Sequence, residues 1–188
     1  MKNLRFLTVL SMFLFIGTIA IGQNGMAETK MVGGAEMYPS KNIVENAVNS
    51  KDHTTLVAAV KAAELVDILK SDGPFTVFAP KNSAFEALPA GTVESLLKME
   101  NKKKLQAVLT YHVLAGDYKA ADIVAAIKKG NGKASFKTVN GGEVWAMLDG
   151  DKVKLKGASG NVATVTVADV NQSNGVIHVI DTVLLPAM

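Results

Sequence analysis

The sequence predicts an α+β domain with its helices first and its strands last, and three observations carry that prediction. Apolar residues recur at helical spacing up to about residue 129, and the period falls to two from about residue 135. Asn-Gly and Asp-Gly pairs punctuate the last third, as hairpin turns do. With 188 residues, 48% of them apolar and 20% charged, the chain suits one domain with a real core.

The elements follow in order. Lys2 and Arg5 precede an apolar run from Phe6 to Ile21, with small residues at Ala20 and Gly22, or at Gly25 and Ala27, around its end. This is the pattern of a signal peptide over 1–27, with cleavage after residue 22 or after residue 27. The competing reading, a membrane anchor, needs about 20 apolar residues, and this run is shorter. Residues 28–40 carry Gly33, Gly34 and Pro39 without a steady period and read as a leader strand or loose tail, which leaves 41–188 as the domain.

From Asp52 to Lys70, Ala58, Ala62, Leu65, Val66 and Leu69 form one stripe, which predicts a single amphipathic helix. Asp72, Gly73 and Pro74 end it, and Phe75 to Pro80 is a short apolar run that reads as a buried strand. Ser83 and Glu86 have the spacing of a capping box at the start of a short helix. Helical patterns continue over 92–99, over 102–114 and over 120–129, the last stopped by Gly130. Strands are predicted near 135–139, 143–148, 152–156, 162–168 and 176–185. Within 152–156 the lysines alternate with Val153 and Leu155, the pattern of a half-buried strand with a solvated lysine face.

Charge and composition exclude several function classes. There is no cysteine, so thiolate metal sites, disulfides and a cysteine nucleophile are out. Loss of 1–27 removes Lys2 and Arg5 and no acid, leaving 18 lysines, no arginine and 17 acids. A chain without arginine and with few aromatics lacks the forks and stacking platforms of nucleic-acid binders. The three histidines, His53, His112 and His178, show no metal-ligand spacing, and no nucleophile elbow or phosphate loop is present. No enzyme, cofactor or metal is expected.

Two boxes and a central pair carry a resemblance. Phe75, Thr76, Val77, Phe78, Ala79 and Pro80, followed by Asn82, Ser83 and Phe85, form the first. Tyr111 and His112 form the pair, and the run from Asn174 and Gly175 through His178 and Asp181 to Pro186 forms the second box. Together they resemble the fasciclin (FAS1) domain family, in the family's order and over about residues 40–186. The resemblance implies a wedge-shaped, twisted β-sandwich with a helical layer from the N-terminal half. It also implies a secreted, extracellular or periplasmic protein, or one at the cell surface, that acts in adhesion. Its partners would be surface or matrix proteins, glycans or a second copy of the chain, with no membrane span left after signal cleavage.

In that family adhesive activity is tied to the Tyr-His region, so Tyr111 and His112 are the candidate partner-binding residues, Tyr111 through a phenol reaching outward and His112 more as a hydrogen-bonded core group. The box residues read as structural: Phe78 and Phe85 as core, His178 as an interior histidine, and Asp181 as an acceptor for backbone N–H groups. The alternative function is a carrier of an apolar small molecule, a lipid or a carotenoid-like polyene, in a pocket between helices and sheet.

Overall fold

The computed structural model describes residues 28–187; the expected signal segment and its cleavage position lie outside the described residues. Strands β1 (Lys30–Val32) and β2 (Ala35–Met37) form a small antiparallel hairpin. The leader is thus an ordered hairpin, and its Val32 and Met37 are buried in the main core.

Helix α1 (Ile43–Ala47) opens on a reciprocal capping box: the Asn42 side chain accepts from the Glu45 N–H, and the Glu45 carboxylate accepts from the Asn42 N–H, each at 3.0 Å. The single helix expected over 52–70 is broken in two. A short 3₁₀ turn (Lys51–His53) leads into α2 (Thr54–Ala62), and α3 (Val66–Lys70) follows a bend. Glu64 sits at φ +55°, while Leu65 N–H bonds the Val60 carbonyl and Glu64 N–H bonds that of Lys61. That is a Schellman stop with Glu in the place usually held by glycine, and it buries Leu65 and Val60 together. The apolar stripe runs through the bend unbroken, which is why periodicity alone reads one helix.

Strand β3 (Phe75–Pro80) is followed by α4 (Asn82–Glu86). The expected capping box at Ser83 is not formed. The helix starts two residues earlier, with Lys81 at the cap position and Ser83 inside the first turn. Asn82 serves a tertiary role instead, accepting from Thr55 N–H at 3.0 Å and donating to the Lys51 carbonyl at 2.8 Å. Next come α5 (Thr92–Leu96) and α6 (Lys102–Tyr111). The latter ends before Val113, because β4 (Val113–Ala115) pairs antiparallel with β3. Helix α7 (Ala120–Lys129) ends against Gly130.

The strands β5 (Lys133–Lys137), β6 (Glu143–Asp149), β7 (Lys152–Lys156), β8 (Val162–Gln172) and β9 (Gly175–Ile180) complete a seven-stranded sheet in the order β4-β3-β9-β8-β7-β6-β5. Only β3 and β9 run parallel. Strand β8 serves both halves of the sheet, pairing with β7 through Val162–Thr164 and with β9 from Val165 onward, with register shifts between Val165 and Val167 and between Val167 and Val170. The sheet curls until Leu114 bridges Thr138 across its two ends.

Strand alternation sorts side chains between two cores. Val77, Ala79, Ile177 and Val179 face the helical layer, in one cluster with Leu56, Leu105 and Leu109. Phe78 and Ile180 face the inside of the curl, with Ile123, Ile127, Val144 and Leu155. This is the α+β class expected from the sequence.

Candidate functional site

Helix α6 carries Leu105, Val108 and Leu109 into the helical core, and it ends with Tyr111, which turns into the other core, and with His112 at the cap position. Both side chains are buried, Tyr111 completely. The expectation of a phenol reaching outward is therefore corrected: the ring lies in the core of the curled sheet. Its hydroxyl donates to the Glu143 carbonyl at 2.5 Å and accepts from Ala158 N–H at 2.8 Å. One phenol thereby ties the end of α6 to the start of β6 and to the loop after β7. Burial pushes its pKa above the usual tyrosine value.

His112 makes the matching connection on the other side. Its Nδ1 lies 2.7 Å from the Val108 carbonyl, and its Nε2 accepts from Leu184 N–H at 2.9 Å. One ring nitrogen must donate and the other must accept, so the imidazole is the neutral Nδ1–H tautomer. Burial pushes its pKa down to about 4, and the Val108 carbonyl opposes this only in part.

Three loop segments meet above this pair. Asn140 accepts from Gly142 N–H at 2.8 Å and from the Thr138 hydroxyl at 2.6 Å, and it donates to the Ala107 carbonyl of α6 at 3.3 Å. Gly142 packs flat on the phenol ring, where a Cβ would lie 3.0 Å from Tyr111. Asn161 joins the other two segments, donating to the Val183 carbonyl and accepting from Leu185 N–H. The residues presented to solvent include Val139, Gly141, Ala158 and Ser159. Sequence reading missed Asn140 and Asn161 as anchors, although an Asn beside Gly is the usual sign of a side chain that closes its own turn.

The other box residues sit elsewhere. His178 packs on Phe78 with ring centroids 5.8 Å apart, donates through Nε2 to the Tyr118 carbonyl at 2.8 Å and accepts Asp169 N–H on Nδ1 at 3.3 Å. Burial lowers its pKa, with the Tyr118 carbonyl acting against it. Asp181 accepts Thr164 N–H at 2.7 Å. The buried Asn174 side chain accepts from Ile43 N–H at 3.0 Å and donates to the Leu69 and Ser71 carbonyls at 2.9 and 2.8 Å. It locks α1 and α3 to the turn before β9. Phe75, Thr76, Val77, Ala79 and Pro80 form β3, and Phe85 is buried beside them. The first and second boxes meet as the parallel pair β3–β9, and neither touches the loop surface over Tyr111 through an exposed side chain.

His53 lies 2.9 Å from Ser50 through Nδ1, both side chains are buried, and His53 is one of the residues that line the apolar cavity between the helical layer and the sheet. Burial lowers the His53 pKa. Among the described residues no group of three His, Asp or Glu side chains is placed to hold a metal ion. An apolar cavity of about 80 Å³ lies between the helical layer and the sheet, lined by residues such as Ile43, Leu56, Leu69 and Val77.

Comparison with known proteins agrees with this architecture. The family model described as Fasciclin domain matches residues 51–186. Protein sll1483 of Synechocystis sp. is 48% identical over 176 residues, covering 91% of this chain and 88% of its own length. The cell surface glycolipoprotein MPB83 of Mycobacterium bovis is 30% identical over 162 residues, covering 86% of this chain and 63% of its own. A solved FAS1 domain pair from the insect cell adhesion molecule Fasciclin I shares the fold, with a TM-score of 0.67 at 18% identity over 77% of this chain and 51% of that one.

Proposed function

The chain belongs to the fasciclin domain family, and from that premise we propose that it is a secreted or cell-surface binding module, without an enzymatic step, that contacts extracellular proteins, glycans or a second copy of itself. The contact surface is the loop cluster held by Tyr111 and His112. The observation that carries this reading is the doubly bonded phenol of Tyr111, which pins residues 143 and 158 to the end of α6. Tyr111 acts as a positioning residue: it shapes the surface and does not touch the partner.

Two similar proteins support the setting, since one relative is a cell surface glycolipoprotein and the fold neighbour comes from a cell adhesion molecule. No described helix is long and apolar enough to cross a membrane. Against the carrier reading stands the size of the apolar cavity. At about 80 Å³ it is roughly half the engineered 150 Å³ cavity that holds one benzene, so a lipid or polyene would have to part the helices from the sheet.

Tyr111→Phe tests the proposal, because it keeps the ring and removes both bonds of the hydroxyl. The fold should survive with a loss of about 1–2 kcal/mol, since Ala158 is exposed and its N–H can turn to water. Retention of the protein on envelope material from its own organism should fall. A strict monomer that binds no envelope fraction sinks the reading.

A further inference from the structure

The outer face of β5–β8 carries a group of side chains that neither the fold nor the loop surface uses. The register sets Trp145 between Ser135 and Lys156, and Met147 between Lys133 and Lys154. Lys137 lies opposite Glu143, Lys152 opposite Asp149, and Lys154 opposite Thr164. Val144, Ala146, Val153 and Leu155 take the inward positions and are buried, so the alternate residues share the solvent side. Five lysines thus stand on one face against two acids, and Asp149 is already engaged by Lys154 at 2.5 Å.

At the centre lies Trp145, the only tryptophan in the chain, half-buried, with the Lys133 ammonium 3.8 Å from its ring centroid. A sheet face needed only for solubility has no use for an indole and a thioether in its middle. An aromatic platform ringed by cations fits a ligand with apolar faces and repeated negative charge. Successive outward lysines on β7 are about 7 Å apart, so they can meet several charges along one strand of polymer.

We propose that this face binds an acidic polysaccharide: a sugar ring displaces the Lys133 ammonium from the Trp145 ring and stacks there by its C–H face, while carboxylate or sulfate groups pair with Lys133, Lys137, Lys152, Lys154 and Lys156. Nucleic acid fits less well, because a single aromatic and lysines alone give neither successive stacking nor bidentate forks. A lipid surface fits less well too, because Trp145 and Met147 are both half-buried and ringed by charged side chains. The proposal rests on the surface-binding reading and names its partner. The phenol of Tyr111 holds residue 143 at the start of β6 and residue 158 just past the end of β7, so it also fixes the border of this face.

The sole tryptophan supplies the readout. Titration of the purified protein with dextran sulfate should change its emission saturably and weaken as salt is raised, while uncharged dextran should do nothing. Lys154→Gln combined with Lys156→Gln should weaken binding about tenfold. Lys103→Gln with Lys104→Gln, on α6, should leave it unchanged. Trp145→Ala, followed by co-sedimentation with the polymer, should bind several-fold more weakly while remaining folded, with its melting temperature lowered by only the few degrees that loss of a half-buried ring costs.

No response to dextran sulfate, an equal loss in the α6 pair, or binding only to phosphatidylglycerol vesicles would overturn the proposal. If the protein still adheres to envelope material in any of those cases, the surface-binding reading stands and only the partner is wrong. If it adheres to nothing, both fall.

Discussion

Acid should unfold this domain through His112, and the size of the effect follows from its two hydrogen bonds and its burial. The folded imidazole is neutral, with a pKa near 4 against an ordinary value of 6.5. Protonation therefore favours the unfolded chain. The stability that depends on the neutral ring is complete above pH 6.5 and is lost as pH falls toward 4. With those two values the loss is about 2 kcal/mol at pH 5 and about 3 kcal/mol at pH 4.

Urea unfolding at pH 7, 6 and 5 measures this directly, and melting temperatures should drop by about 2–4 °C for each kcal/mol. Burial lowers the pKa of His53 and His178 as well, so the total slope has the same sign and exceeds the share of His112. Comparison with His112→Gln isolates that share: the variant starts less stable and loses less on acidification. A wild-type protein whose stability is flat between pH 7 and pH 5, or a variant with an undiminished slope, would refute the argument.

Three further outcomes follow from the geometry. Asn174→Ala removes three buried hydrogen bonds and should cost about 3 kcal/mol in urea unfolding; a cost below about 1 kcal/mol would mean that water replaces the side chain. Gly175→Ala forces a Cβ to within 1.9 Å of the Phe75 carbonyl oxygen at φ +151°, so β3 and β9 must separate and more than about 3 kcal/mol should be lost; a wild-type melting curve would contradict this. Glu64→Gly relieves the left-handed backbone at φ +55° and gives up only an exposed ion pair with Lys102, for a net gain of about 0.5 kcal/mol; a lowered melting temperature counts against it.

What could be read from the sequence divides by the range of the interactions involved. Helix α7 and strand β7 were legible because each is set locally: Ile123 and Ile127 with Gly130 define the one, and strict alternation about Val153 and Leu155 defines the other. The bend at Glu64 was not, since a stripe of apolar residues looks the same whether the helix continues or turns with Leu65 still facing inward. The Ser83 box failed for a related reason: its spacing is local, but Asn82 is recruited by residues 27 and 31 positions away. The position of Tyr111 depends on partners 32 and 47 residues downstream, and no pattern within α6 announces them. The lysine face could be seen as three residues of β7. Lys133, Lys137 and Trp145 join it only once the register is known.

The parallel pairing of Phe75–Pro80 with Gly175–Ile180 has a consequence for how the molecule comes into being. These strands are the second and third of the seven in the sheet and lie a hundred residues apart in the chain. Until the second is available, the first has one bare edge, and neither core can close. Such long-range pairing makes folding slow and late, and a chain shortened by its last fourteen residues would display Val77 and Phe78 to any strand nearby. A polypeptide whose sheet stays open until Gly175–Ile180 is in place must be kept from pairing with other strands while it is being made.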